Sequence, residues 1–206
     1  MTIGLIGDLH ADVYPKNIIA VMDYMEQLDV DFCLQVGDYL AYNIHWERPL
    51  FWITGNHEDG PVLKEYINGS YKEPPNNHWL MGGLVNIAGI NVMALPGLPN
   101  SRQKPGPARY PENVYNLCME QSDEPVDIFI SHGCGYPFWV WTYDKKISKS
   151  KMVNREEDDI TSLIKKVKPK IAVSGHNHRF DHIVEDGIEF VRLGFKPQEM
   201  FYTIEI

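Results

Sequence analysis

Six stretches of the chain are short, apolar and rich in β-branched or aromatic residues: 2–7, 31–37, 50–55, 126–131, 170–174 and 188–193. Most stop at a glycine or just before one. Runs of this length and composition read as buried strands. Residues 84–87 and 90–95 flank Ala88-Gly89, which reads as a hairpin. Residues 199–206 read as a closing strand. Helical spacing appears between these runs. In 15–28, Ile18, Ile19, Met22 and Met25 recur on one face, with Pro15 near the first turn. Segments 113–121 and 156–167 carry similar patterns, and Pro169 closely follows the second.

Strands that alternate with helices indicate the α/β class, while the hairpin and the closing strand add antiparallel pairing. The expected architecture is a layered α/β/β/α sandwich of mixed sheets. A length of 206 residues suits one domain spanning 1–206. Two irregular stretches interrupt it as loop insertions: 96–111, rich in Pro and Gly, and 133–155, rich in aromatics and then lysines. Long loops in a compact domain are usually functional or disordered.

Composition narrows the function classes. A formal net charge of −9 gives no electrostatic reason for general binding to nucleic acid or anionic membranes. No apolar stretch is long enough to span a membrane. Three cysteines, Cys33, Cys118 and Cys134, form no C-x-x-C motif and no paired framework. Together with the absence of a signal-peptide pattern, they indicate a cytoplasmic protein.

The residues just beyond the strands carry the chemistry. The first strand is followed by Asp8-Leu9-His10, the second by Asp38, and the third by Asn56-His57-Glu58. His132 follows the run at 126–131, and His176-Asn177-His178 follows the run at 170–174. Ligands of open α/β sheets bind beyond the carboxyl ends of strands, so these five segments are expected to meet on one rim. Residues two apart in extended chain point the same way, which would aim Asp8 with His10, and His176 with His178, into one site. Glycine before four of the five motifs, and just after His132, permits a tight turn and close backbone approach. Asp8, His10, Asp38, Asn56, His132, His176 and His178 mix oxygen and nitrogen donors without thiolate. That set suits manganese, with iron, zinc, cobalt or nickel as alternatives, better than calcium or magnesium. Seven donors exceed one ion and suit two, bridged by a carboxylate and a solvent molecule.

In this order the motifs resemble those of the calcineurin-like metallophosphoesterase superfamily: D-x-H, GD, GNH[ED], a lone H, and GHxH. The resemblance runs from residue 8 to 178. It implies that Asp8, His10 and His178 bind one ion, that Asn56, His132 and His176 bind the other, and that Asp38 bridges them. His57 would be catalytic, facing the scissile phosphate, with a metal-bridging hydroxide as nucleophile. Asp12 and Glu58 lie close enough in sequence to orient ligands, or are simply solvated. His45, His78 and His182 read as surface or supporting residues.

The phosphoprotein phosphatase branch reads GDxxDRG, whereas this chain has Ala41 and Tyr42 at the Asp and Arg positions. Phosphodiesterase is therefore favoured over phosphomonoesterase, and a non-catalytic binding module on the same scaffold is the third reading. Residues 55–97 are weakly similar to RNA lariat debranching enzymes, which carry Cys where this chain has Asp8. Arg102 and Arg109 could neutralise a substrate phosphate or be solvated. Trp139 and Trp141 could stack a base of a nucleotide or oligonucleotide, cover the core, or form a homodimer interface.

Overall fold

A computed structural model describes residues 1–58, 60–98, 112–135, 137–138 and 155–206. One sheet holds β1 (Thr2–Ile6), β2 (Phe32–Gln35), β3 (Leu50–Trp52), β4 (Asn77–Trp79) and β11 (Phe201–Glu205), in the order β11-β1-β2-β3-β4. The other holds β5 (Gly83–Ile87), β6 (Ile90–Leu95), β7 (Ile128–Ser131), β8 (Ile171–Ser174), β9 (Asp181–Glu185) and β10 (Ile188–Arg192), in the order β5-β6-β7-β8-β10-β9. β1 through β4 pair in parallel and β11 joins antiparallel. In the second sheet β6, β7, β8 and β10 are parallel, while β5 and β9 close the edges antiparallel.

Side-chain alternation builds the layers. Ile3, Leu5 and Leu34 of the first sheet meet Val92, Ile130 and Val173 of the second between the two sheets. Burying a side chain of this size contributes about 1.5–3 kcal/mol. The opposite face of the first sheet, including Ile6, Cys33 and Trp52, packs on Val21 and Met25 of α1 (Lys16–Leu28) and Leu63 of α2 (Gly60–Ile67). Phe129 and Ala172 of the second sheet pack outward on Val114 and Cys118 of α3 (Glu112–Glu120) and Leu163 and Ile164 of α4 (Arg155–Val167). A short α5 (Pro197–Met200) leads into β11. The expected α/β/β/α sandwich is the architecture observed. Among the described residues, no helix is long and apolar enough to cross a membrane.

The expected hairpin forms at Ala88-Gly89, whose φ values of 50° and 91° match the type I′ turn. Among the described residues, four elements went unread in the sequence: α2, β4, β9 and α5. β4 and β9 are edge strands of Asn-His-Trp and of alternating half-buried and exposed positions, so neither forms an apolar run. α2 begins at Gly60-Pro61, a pair that looks like a turn in sequence and that a first helical turn tolerates. β2 and β3 also stop earlier than expected, at Gln35 and Trp52. Val36 and Ile53 stay fully buried beyond them, so their apolar character came from the core and not from the strand ladder.

Candidate metal centre

Backbone hydrogen bonds draw the loops beyond β1, β2, β7 and β8 together. The His10 N–H donates to the Asp38 carbonyl at 2.7 Å, and the Gly175 N–H to the His132 carbonyl at 3.1 Å. The His176 N–H donates to both Asp8 carboxylate oxygens, at 3.1 and 2.9 Å. The loop beyond β3 joins through Asp38, whose Oδ1 accepts the N–H groups of Asn56 (2.8 Å) and His57 (2.9 Å). Gly175 and Gly55 are required by close approach: a Cβ on either would overlap a carboxylate oxygen, of Asp8 and Asp38 respectively.

The way in which paired residues reach the rim differs from the expected strand alternation. His10, His176 and His178 adopt left-handed φ of 45°, 65° and 53°, and Asp38 adopts 52°. Left-handed backbone at a residue with a Cβ costs on the order of 1–3 kcal/mol and persists where neighbours over-determine it. The chain thus turns its donors inward, and the hydrogen bonds above hold the turns.

Asp8, His10, Asp38 and His178 each offer a donor atom within 4.8 Å of the others. His10 Nε2 lies 3.1 Å from His178 Nε2, and His178 Nε2 lies 3.2 Å from Asp8 Oδ2. On the far side of Asp38, His132 Nε2 faces Asn56 Oδ1 at 2.9 Å, and the His132 and His176 rings are 5.0 Å apart. The His132 Nδ1–H donates to the Val36 carbonyl at 2.9 Å, which aims Nε2 into the site. Asp38 Oδ2 sits between the two groups, 3.5 Å from His10 Nε2 and 3.6 Å from His132 Nε2. It is buried and has no hydrogen-bond partner among the described residues.

These residues fit bound metal. Two ring nitrogens, or a ring nitrogen and a carbonyl oxygen, facing each other at about 3 Å need positive charge between them, from a proton or a cation. Bonds of about 2.0–2.2 Å set at right angles place neighbouring donors about 3 Å apart. The orphaned Oδ2 is the atom left over once Oδ1 is spent on backbone N–H groups.

Electrostatics follow burial and charge. Burial, then the positive side of His132, depresses His176 to about 4. Burial also lowers His10, with Asp38 and Asp8 partly offsetting it. Burial would lower His132 too, but Asp38, Asp8 and Glu58 around it raise it. A hydrogen bond to Asp8 raises His178. Burial pushes Asp38 up, but His132, the His57 N–H and His10 outweigh it and hold the carboxyl below its ordinary value.

His57 is exposed at the mouth, its ring 5.2 Å from that of His10. Glu58 is buried, not solvated. Its oxygens accept the Tyr39 N–H at 3.0 Å and the Gly55 N–H at 2.7 Å, so it binds the loop beyond β2 to the loop beyond β3. Burial, then the charge of Asp38, pushes its carboxyl up to about 7. Asp12 and His45 are exposed. His78 stacks on Phe51, and His182 pairs with Glu189 at 3.0 Å. Arg102, Arg109, Trp139 and Trp141 lie outside the described residues. Sequence reading passed over Tyr14, Asn17 and Phe195, which border the same rim. The signal available was a sixth strand end at Leu193-Gly194-Phe195, which carries no metal-donor residue.

Carboxylate, amide and imidazole donors gathered at the carboxyl rim of a two-sheet sandwich have the chemistry of a metal centre. The family profile of calcineurin-like phosphoesterases matches residues 1–180, and the chain belongs to that family. Among curated proteins it is similar to the lariat debranching enzymes of Arabidopsis thaliana (25% identity, 91% of this chain and 57% of that one) and Gallus gallus (24% identity, 68% and 31%). The chain therefore spans only about a third to just over half the length of these relatives. Solved structures share the fold. A protein of Thermus thermophilus gives a TM-score of 0.62 at 16% identity over 94% of this chain and 88% of that one. An archaeal phosphodiesterase gives 0.52 at 13% identity over 99% of each.

Proposed function

We propose that this protein is a binuclear phosphodiesterase acting on a nucleotide-containing diester. The observation that carries the reading is the placement of Asp38 Oδ2, buried and unpartnered, between two donor groups. Asp8, His10 and His178 would hold one ion, Asn56, His132 and His176 the other, and Asp38 would serve both. Manganese suits this donor set best. The bound ions supply a water of lowered pKa and neutralise charge on the phosphoryl oxygens. The chain's own residues do the rest. The turns at His10, His176 and His178 pre-set donor positions. His57, exposed at the mouth, donates a proton to the leaving oxygen. Arg102 and Arg109 neutralise substrate charge, and Trp139 and Trp141 stack on a base. The free, buried cysteines suit a reducing cytoplasm.

Support for a diester over a monoester comes from two places. The curated relatives are lariat debranching enzymes. At the positions where phosphoprotein phosphatases carry an acid and an arginine, Ala41 and Tyr42 are buried, with Tyr42 tilted on Trp52 at 5.5 Å. A residue packed this way cannot grip a phosphate. The test is metal analysis followed by turnover of nitrophenyl diesters and nitrophenyl phosphate with manganese supplied. The expected result is two ions per chain and faster diester cleavage. Faster monoester cleavage would make it a phosphatase, and bound metal without turnover of any ester would make it a binding module.

A further inference from the structure

The segment beyond β10 reaches the rim of the metal centre without carrying a metal donor. Phe195, half-buried there, lies with its ring centroid 4.6 Å from that of His178 and 6.3 Å from that of His10. Tyr14 flanks it, ring centroids 5.6 Å apart and planes at 46°. Tyr14 is 39% exposed, and neither ring joins the three buried hydrophobic clusters. Aromatic area left in water beside a charged, polar site is not explained by core packing.

The backbone of both residues is held from behind. The Tyr14 N–H donates to the His10 carbonyl at 2.8 Å, closing the turn that carries the His10 donor. Asn17 is buried in the first turn of α1, and its own N–H donates to the Tyr14 carbonyl at 2.9 Å. Its side-chain amide donates to the Leu9 carbonyl at 3.0 Å and the Phe195 carbonyl at 3.3 Å. One buried amide therefore ties the Tyr14 turn to the Phe195 turn. Surfaces ordered before binding lose less entropy on binding.

We propose that Tyr14 and Phe195 form a stacking platform for the nucleobase next to the scissile phosphate, with Asn17 as its positioning residue. The proposal rests on the phosphodiesterase reading above and names the part of the substrate that this edge of the site takes. Neither ring carries a charge that would select a charged group, and every base offers a π-face to an aromatic side chain. Phe195 stands against His178, so a base stacked on this edge lies beside the metal cluster.

The experiment compares two diesters with the same leaving group, thymidine nitrophenyl phosphate and methyl nitrophenyl phosphate, on the manganese-loaded protein. Wild type prefers the thymidine ester in kcat/KM. That preference falls about fivefold or more in Tyr14→Ala and in Phe195→Leu, which keeps side-chain bulk without the ring. Tyr14→Phe, which keeps the ring, retains it. Equal wild-type activity on both diesters overturns the platform alone. So does a proportional loss on both with reduced metal content, which would make Phe195 a brace for His178. Wild type that cleaves nitrophenyl phosphate but neither diester removes the phosphodiesterase reading, and the platform with it.

Discussion

The two sides of Asp38 are built differently. His132, on one side, is fully buried and pinned by the Val36 carbonyl, and Glu58 braces the adjoining loops with both oxygens. His178, on the other, has 41% of its side chain exposed and holds its place through Asp8. His57 and the Tyr14–Phe195 pair lie on this open side, around His10. The protein interior orders one half of the centre before any ligand arrives. The other half opens to solvent at His178, while its Asp8 and His10 are buried.

Asp38 is the member common to both sides, so its loss has the largest effect. Asp38→Ala is expected to cost more than the 10- to 100-fold typical of losing a metal ligand's outer partner, and to strip both ions. Elemental analysis that still finds one ion per chain would break the picture of a shared carboxylate. His57→Ala tests the open side, where about 10²–10⁴-fold in kcat should disappear with metal content intact. The loss should be smaller for a nitrophenol leaving group, which needs less protonation. A loss of metal instead would reassign His57 as a donor.

Glu58→Gln tests the braced side. A side-chain amide has one oxygen, so only one of the Tyr39 and Gly55 N–H groups keeps its acceptor. Metal affinity measured by calorimetry should fall about 10- to 100-fold, with little change in how the remaining activity divides between substrates. The smallest effect is also the most direct comparison of the two sides. In metal-free protein, His132→Ala should lower unfolding stability in urea by about 1–3 kcal/mol, because the Val36 carbonyl loses its buried donor. His178→Ala should cost less, because the buried Asp8 carboxylate keeps the His176 N–H. Equal losses would mean that burial does not separate the two halves.

Much of the fold was legible because burial leaves a local trace. Residues 126–131 read as a strand on their own, and within them Ile128 and Ile130 face one layer and Phe129 the other. The α1 stripe and the Ala88-Gly89 turn are local in the same sense. The meeting of Asp8, His10, Asp38, Asn56, His132, His176 and His178 was legible too, because each follows a strand and strand ends share a rim.

What the tertiary structure decided depends on partners far away in the chain. The left-handed turns at His10 and His176 are held by Asp38 and Asp8, residues that no local pattern links to them. Glu58 could not be told from a solvated acid until the Tyr39 and Gly55 N–H groups stood against it. β9 has no apolar run and becomes a strand only because β10 offers it an edge. Tyr14 and Phe195 are 181 positions apart, and the Asn17 amide ties their turns together. Sequence pattern records what each segment buries. Which groups complete each other's hydrogen bonds is settled when the two sheets close.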